Sequence, residues 1–339
     1  MRSAKRILLG FLGIIFIISL TACTKSTTDN AITTSGTDLL TVNGEVVSVP
    51  LINYYLYTAS QQVAQQYDIA SSDWQTTQID NVTANEYVRE QASLQIENLY
   101  LEHQKLGRDL TADEQTQVDN LKTMYQNAYG ANYEQELSSQ GLTPDAMNLK
   151  LTYTVEGQIL QNQTLSQTSD ADLKDFYQNN MMQIKQIFVS KRDKTTNALL
   201  TGDKQTAAQT KIQTALAKAQ NGTNFDTLVK EYNEDPGMSS NPNGYLISDA
   251  DPSYDRLWIL TAHDLKDNQI SDIFETEAGW YILEKVPIDA SAYDANLSTI
   301  KQEYWLYLQN AWRTTANIVI NAKMWNEIDI SKGLQNNFL

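Results

Sequence analysis

The sequence predicts an α+β protein in which a mostly helical domain, built from both ends of the chain, carries an inserted α+β domain. Three observations predict this arrangement. Apolar residues recur at helical spacing over residues 45–180, the pattern changes to strand-like alternation at Gln183, and helical spacing returns after Pro287. The 339 residues suffice for two domains of ordinary size, each with its own core.

The first 22 residues are predicted to be a targeting signal and not a part of the fold. A basic start precedes an apolar run at residues 7–20, and this run is shorter than the ~20 residues that a membrane-spanning helix needs. The residues that follow, Leu-Thr-Ala-Cys at 20–23, resemble the lipobox of bacterial lipoproteins. That resemblance implies cleavage after residue 22 and lipid attachment at Cys23. The alternative is an ordinary secretory signal with an incidental cysteine.

Residues 23–38 predict a flexible tether. They are rich in Thr, Ser, Asp and Gly and show no periodicity. A spacer of this kind would keep a folded domain clear of the lipid headgroups. Because the chain has one cysteine, no disulfide can form within it.

Residues 39–180 predict the N-terminal part of the helical domain. An Asn-Gly pair between β-prone residues at 40–47 indicates a hairpin, and helix-start signals then follow one another. These signals are Pro50, the capping boxes Thr83-x-x-Glu86 and Thr111-x-x-Glu114, Thr143-Pro144 and Ser169-Asp170.

Residues 181–288 predict the inserted domain, with elements in the order β-α-α-β-α-β. QIKQIFVSK and GWYILEKV alternate like its first and last strands. Residues 289–339 return to helical spacing and are too short to bury a good core alone, which favours their completing the first domain. Three sequential domains are the alternative.

The whole layout resembles the PrsA family of lipid-anchored folding factors of Gram-positive bacteria, relatives of the SurA-type chaperones. TVNGEVVS and TPDAMNLKLTYTVEGQIL carry the match in the helical part. IKQIFV, NGTNFDTLVKEYNEDPG, NPNGYL and ISDIFETEAGWYILEKV follow the order of a parvulin-type prolyl isomerase domain. The resemblance implies a SurA-like helical cradle for unfolded secreted chains and a domain that can rotate X-Pro bonds, a rotation with a barrier of ~18–20 kcal/mol.

The resemblance also implies a catalytic network of two histidines with a Cys or Asp between them. In this sequence Gln186 stands at the first histidine position, Tyr281 at the second, and Asp235 at the acid position. Both replacements can form hydrogen bonds, but neither titrates near neutral pH as histidine does. We therefore expect the domain to keep its fold while its isomerase activity is weak or lost.

The same resemblance implies a substrate pocket. Tyr254 corresponds to the aromatic wall of the proline pocket, Ala250 replaces a methionine that relatives often carry, and Leu246 belongs to the same substrate-binding set. The two histidines present, His103 and His263, fall at neither catalytic position, and we interpret them as solvated or capping residues.

Composition narrows the function further. The formal net charge of −16 argues against a nucleic-acid partner, since phosphate binding needs clustered Lys and Arg. No phosphate loop or metal-ligand spacing appears, so we predict no cofactor and no metal.

Three functions remain open. The leading hypothesis is a membrane-tethered folding factor for unfolded or newly exported polypeptides, with a homodimer implied by analogy with the family. The first alternative is an active isomerase that uses the degenerate site, and the second is a lipid-anchored surface protein with no folding role.

Overall fold

The computed structural model of the chain describes residues 38–79, 81–196 and 198–333. The predicted signal peptide, Cys23 and the tether up to residue 37 lie outside the described residues. Among the helices of the described ranges, none is both long enough and apolar enough to cross a membrane.

The first part of the chain is mainly helical, with two short hairpins. Thr83, Thr111, Thr143 and Ser169 each accept a hydrogen bond from a backbone N–H in the first turn of the helix that follows, and Thr111 with Glu114 forms a complete capping box. The elements are β1 (Leu40–Val42), β2 (Glu45–Val46), α1 (Val49–Tyr67), β3 (Gln78–Ile79), β4 (Val82–Thr83), α2 (Ala84–Leu106), α3 (Ala112–Tyr129), α4 (Tyr133–Ser139), α5 (Pro144–Gln167) and α6 (Asp170–Asn179).

The middle of the chain forms an antiparallel sheet in the order β6-β5-β8-β7, with helices on its faces. The order of strands and long helices agrees with the sequence prediction; the short elements α9 and β7 are additional. The elements are β5 (Met181–Ser190), α7 (Gly202–Gln220), α8 (Phe225–Tyr232), α9 (Gly237–Ser240), β6 (Tyr245–Ser248), α10 (Arg256–Asp264), β7 (Phe274–Glu275) and β8 (Gly279–Val286).

The end of the chain packs against the first, mainly helical part. Its elements are α11 (Tyr293–Thr315), β9 (Ile318–Ile320) and α12 (Ala322–Glu327). Strand β9 pairs antiparallel with β1, which places Ile320 opposite Leu40, and Trp325 shares one hydrophobic core with residues of α1, α2 and α5. The predicted fold class, α+β with a helical part formed by both chain ends, is confirmed. Domain boundaries before β5 and after β8 remain our proposal.

The pleat of β5 and β8 determines which side chains can meet. Ile187 on β5 and Ile282 on β8 point to one face, where they form a core with α7 and α8. The alternate residues point to the other face, where Ile184 and Leu283 pack against Trp258 of α10. Gln186 and Tyr281 belong to this second face, which carries the candidate site.

Candidate functional site

A half-buried carboxylate, that of Asp235, lies at the centre of the site. Its Oδ2 accepts hydrogen bonds from Gln186 Nε2 at 2.8 Å and from the Tyr245 hydroxyl at 2.5 Å, and its Oδ1 accepts one from the Gly237 N–H at 2.8 Å. A Cβ at residue 237 would collide with the Tyr245 hydroxyl, so glycine leaves room for that contact. These three donors are all neutral groups.

Gln186 connects this carboxylate to α10. Its side chain is 7% exposed, and its Oε1 accepts a hydrogen bond from Trp258 Nε1 at 2.8 Å. An indole N–H can only donate and a carboxylate can only accept, so these two partners determine which way the amide points. Gln186 therefore relays a fixed chain of hydrogen bonds from Trp258 to Asp235.

Asn233 holds the loop that carries Asp235 against β5. Its Oδ1 accepts hydrogen bonds from the backbone N–H of Phe188 at 2.9 Å and of Asp235 at 3.2 Å, and its Nδ2 donates to the Asp235 carbonyl oxygen at 2.8 Å. Sequence reasoning missed this positioning role. The signal available was the Asx-turn tendency of Asn in the Asn233-Glu234-Asp235 run.

Tyr281 is held by aromatic neighbours. Its ring stacks on Phe274 at a centroid distance of 5.4 Å and lies 4.8 Å from the ring of Phe188, which is opposite it on β5. Burial, followed by the negative charge of Asp255, raises the pKa of Tyr281, while a hydrogen bond with Thr276 acts in the opposite direction. Its hydroxyl therefore stays protonated at neutral pH.

Two further tyrosines form an aromatic wall with α10. The Tyr254 ring stacks on Trp258 at 4.3 Å, and the Tyr245 ring meets Tyr254 edge-on at 5.9 Å. Burial is the largest cause of the raised pKa of both tyrosines. Neutral phenols are consequently the hydrogen-bonding groups that this wall offers.

These residues surround one cleft of about 300 Å³, a size at the lower end of small-ligand sites. The structure brings four residues predicted from the sequence together here: Gln186, Asp235, Tyr254 and Tyr281. The full lining is Gln186, Asp235, Tyr245, Ser253, Tyr254, Asp255, Trp258 and Tyr281.

The structure places the two other predicted substrate residues elsewhere. Leu246 lies on the opposite face of β6 from Tyr245 and packs against a core that includes Phe176 and Ile300. Ala250 lies in the following loop, where its N–H donates to the Ser248 hydroxyl at 3.2 Å. Because neighbouring strand residues point to opposite faces, Tyr245 takes the place in the cleft that Leu246 was expected to fill.

The two histidines lie outside the cleft lining. His103 is not simply solvated: its Nδ1 is 2.6 Å from Glu156 Oε2, and its ring stacks on Tyr153 at 3.8 Å. His263 is exposed, and two carboxylates lie near its ring. Within the described ranges, no group of three His, Cys, Asp or Glu side chains is arranged to hold a metal ion.

Comparison with known proteins identifies the segment that carries the cleft. Residues 187–286 match the family model described as the PPIC-type PPIase (rotamase) domain. Asp235, Tyr254 and Tyr281 lie inside this match, and Gln186 immediately precedes it. The inserted segment is a parvulin-type domain.

The curated relatives extend the likeness beyond that segment. Foldase protein PrsA 1 of Listeria monocytogenes serotype 4b is 27% identical over 183 residues, which are 53% of this chain and 56% of that protein's length. Foldase protein PrsA of Clostridium botulinum strain Hall is 23% identical over 327 residues, 89% of this chain and 91% of that protein. The chain is thus a relative of the PrsA-type foldases.

Solved structures were also compared. PrsA from Streptococcus pneumoniae matches with 17% identity and a TM-score of 0.30, covering 81% of this chain and 88% of that one. PrsA from Bacillus subtilis matches with 18% identity and a TM-score of 0.27, covering 68% and 82%. The relationship to the PrsA-type foldases rests on the sequence matches.

Proposed function

We propose that this chain is an extracytoplasmic folding factor that binds unfolded exported polypeptides, and that its parvulin-type domain has weak or no isomerase activity. The observation that carries the second part is the occupied hydrogen-bond network of the cleft. Asp235 is held by an amide and a phenol, from Gln186 and Tyr245, and the lining contains no imidazole.

The chemistry of prolyl isomerisation explains why this network is a poor catalyst. Rotation about the X-Pro bond removes amide resonance, and the barrier of ~18–20 kcal/mol falls only if the site stabilises the twisted amide more than the planar one. Each ~1.4 kcal/mol of such stabilisation gives a tenfold rate increase. In this cleft one N–H of Gln186 and the hydroxyl of Tyr245 donate to Asp235, so those hydrogen atoms are not available to a twisted amide.

One observation favours the alternative of an active isomerase. The acid at the family position, Asp235, and the aromatic wall at Tyr254 are both retained around the same cleft. The two proposals predict different effects of placing histidines at positions 186 and 281. If the isomerase activity is weak, the two histidines should raise the isomerisation rate greatly; if the present residues already form an active site, they should not.

We further propose where the protein acts. Lipid, such as palmitate, on Cys23 would anchor it to the outer face of the cell membrane, and the tether up to residue 38 would separate the folded part from the headgroups. Two acyl chains anchor a protein stably, whereas one binds only marginally. A homodimer through the helical part is proposed by analogy with the family. A surface protein with no folding role is the remaining alternative.

Aggregation of a chemically unfolded client protein, followed by light scattering, tests the proposed binding of non-native chains. We expect substoichiometric to equimolar protein to slow aggregation, with bovine serum albumin as the inert control. Equal aggregation in both samples would refute the folding role and favour the surface protein.

A further inference from the structure

The cleft contains two carboxylates and no basic side chain. Asp235 and Asp255 both line it, and the rest of the lining is neutral. Within the part of the chain that the structure describes, neither carboxylate belongs to any salt bridge. Lys191, whose charge acts on Asp255, is itself paired with Glu275 at 2.7 Å.

Two further acidic side chains act on the aromatic wall, and one of them, Glu303, is protonated at neutral pH because burial and the neighbouring Asp251 raise its pKa to about 8. Asp251 and Glu303 are 7% and 6% exposed, and the pKa of Tyr254 is raised by burial and then by the charge of Asp251. Glu303 Oε2 accepts hydrogen bonds from the backbone N–H and hydroxyl of Ser248 at 2.9 and 2.7 Å, which holds it in place. The charge of Asp251 therefore adds to that of the two carboxylates in the cleft lining.

The lining also offers aromatic rings. Those of Tyr254, Trp258 and Tyr281 contribute to the walls; the Tyr281 ring is flanked by Phe274 and Phe188, so Tyr254 is the ring whose electron-rich face can attract a cation within about 6 Å. An uncompensated carboxylate is costly to desolvate. A neutral proline ring that enters this cleft would remove water from Asp235 and Asp255 without supplying a positive charge in its place.

We propose that the cleft binds an arginine side chain of the unfolded client, with Asp235 and Asp255 as charge partners and the ring of Tyr254 as the stacking wall. This inference rests on the proposed function and adds the client chemistry to it: extended segments with a basic residue. A guanidinium suits the site because it is planar, stays charged, stacks on aromatic rings and binds carboxylates through several N–H groups.

Three peptides that differ at one position test the proposal. Each is an extended, uncharged Ala/Ser/Pro sequence with Arg, citrulline or Glu at its centre; citrulline has nearly the shape of arginine without its charge. Binding to the full chain is measured by isothermal titration calorimetry at 50 and 300 mM salt. We expect the Arg peptide to bind at least 10-fold more tightly than the citrulline peptide at low salt, the Glu peptide to bind most weakly, and the Arg preference to shrink at high salt.

Two matched variants test whether Asp255 is responsible for the preference for arginine over citrulline. Asp255→Asn keeps a side chain that suits a helix N-terminus, and the control Asp267→Asn changes an exposed aspartate of the same domain. We expect Asp255→Asn to lose at least fivefold of the Arg-over-citrulline preference and Asp267→Asn to keep it, with equal thermal melting of both variants as the folding check.

Equal binding of Arg and citrulline peptides, or equal loss in the two variants, would overturn the proposal. If none of the peptides binds while aggregation of an unfolded client is still suppressed, the cleft is not the client site and the folding role stands. If neither peptides nor unfolded clients bind, the proposed function itself fails.

Discussion

Replacing Gln186 with leucine tests the structural role of the amide most sharply. The change removes the acceptor of the Trp258 indole N–H and one donor to Asp235, in a place where Gln186 is 7% and Trp258 is 1% exposed. Leaving a buried polar group without its partner costs about 1–3 kcal/mol. Leucine is of similar size and returns some apolar burial, so we expect a net loss of about 2–4 kcal/mol in the free energy of unfolding of the domain.

Hydrogen exchange monitored by mass spectrometry can measure this loss locally. Amides of β5 and β8, which flank the site, exchange through opening of the sheet, and a tenfold change in their protection corresponds to ~1.4 kcal/mol. The expected 2–4 kcal/mol therefore lowers protection of residues 181–190 and 279–286 by about 30- to 1000-fold. The control is Gln213→Leu, an exposed glutamine of α7, for which a change within about 0.5 kcal/mol is expected.

Equal protection of β5 and β8 in Gln186→Leu and Gln213→Leu would refute the reasoning. That result would mean that the amide relay between Trp258 and Asp235 adds nothing to stability, and that the network does not hold the cleft in one geometry.

Three further changes have defined expectations. Gly279→Ala should destabilise the domain by about 1–3 kcal/mol in urea unfolding, because the new Cβ would collide with the Val189 carbonyl oxygen; an equally stable variant would contradict the packing. Burial and the neighbouring Asp251 raise the pKa of Glu303 to about 8 from 4.5, so the native state keeps a proton that the unfolded state releases, and stability should fall as pH rises from about 4.5 to 8. Glu303→Gln should flatten this slope in urea unfolding at pH 5 and 8, while the exposed Glu277→Gln should keep it. Cys23→Ser should abolish incorporation of labelled palmitate and release the protein into the medium; unchanged membrane retention would contradict the anchor.

Many elements of the inserted domain can be predicted from the sequence because the patterns that specify them are local. Alternation in QIKQIFVSK is enough to predict β5 and to put Gln186 on the opposite face from Ile187. Thr111 and Glu114 likewise mark the start of α3 through contacts within one turn. Where a neighbour three or four residues away decides the structure, the sequence is informative.

Other features depend on partners distant in the chain. Strand β7 has two residues and exists because Phe274 pairs with Tyr281 across the sheet, and β9 forms by pairing with β1 from the other end of the chain. Asp255 belongs to no chemical motif, and only the fold brings it into the cleft beside Asp235. Leu246 shows where a family motif is not enough. The resemblance to the family assigned this residue to the substrate pocket, whereas the pleat of β6 directs Tyr245 to the cleft.

Prolyl isomerase activity on a short proline peptide, measured together with suppression of client aggregation, tests the central claim most directly. The comparison is between the wild type and the double variant Gln186→His with Tyr281→His. We predict that both proteins suppress aggregation equally, that the wild type leaves the isomerisation rate close to the uncatalysed value, and that the double variant raises it at least tenfold. A wild-type rate already well above the uncatalysed one and not raised by the two histidines would contradict the account.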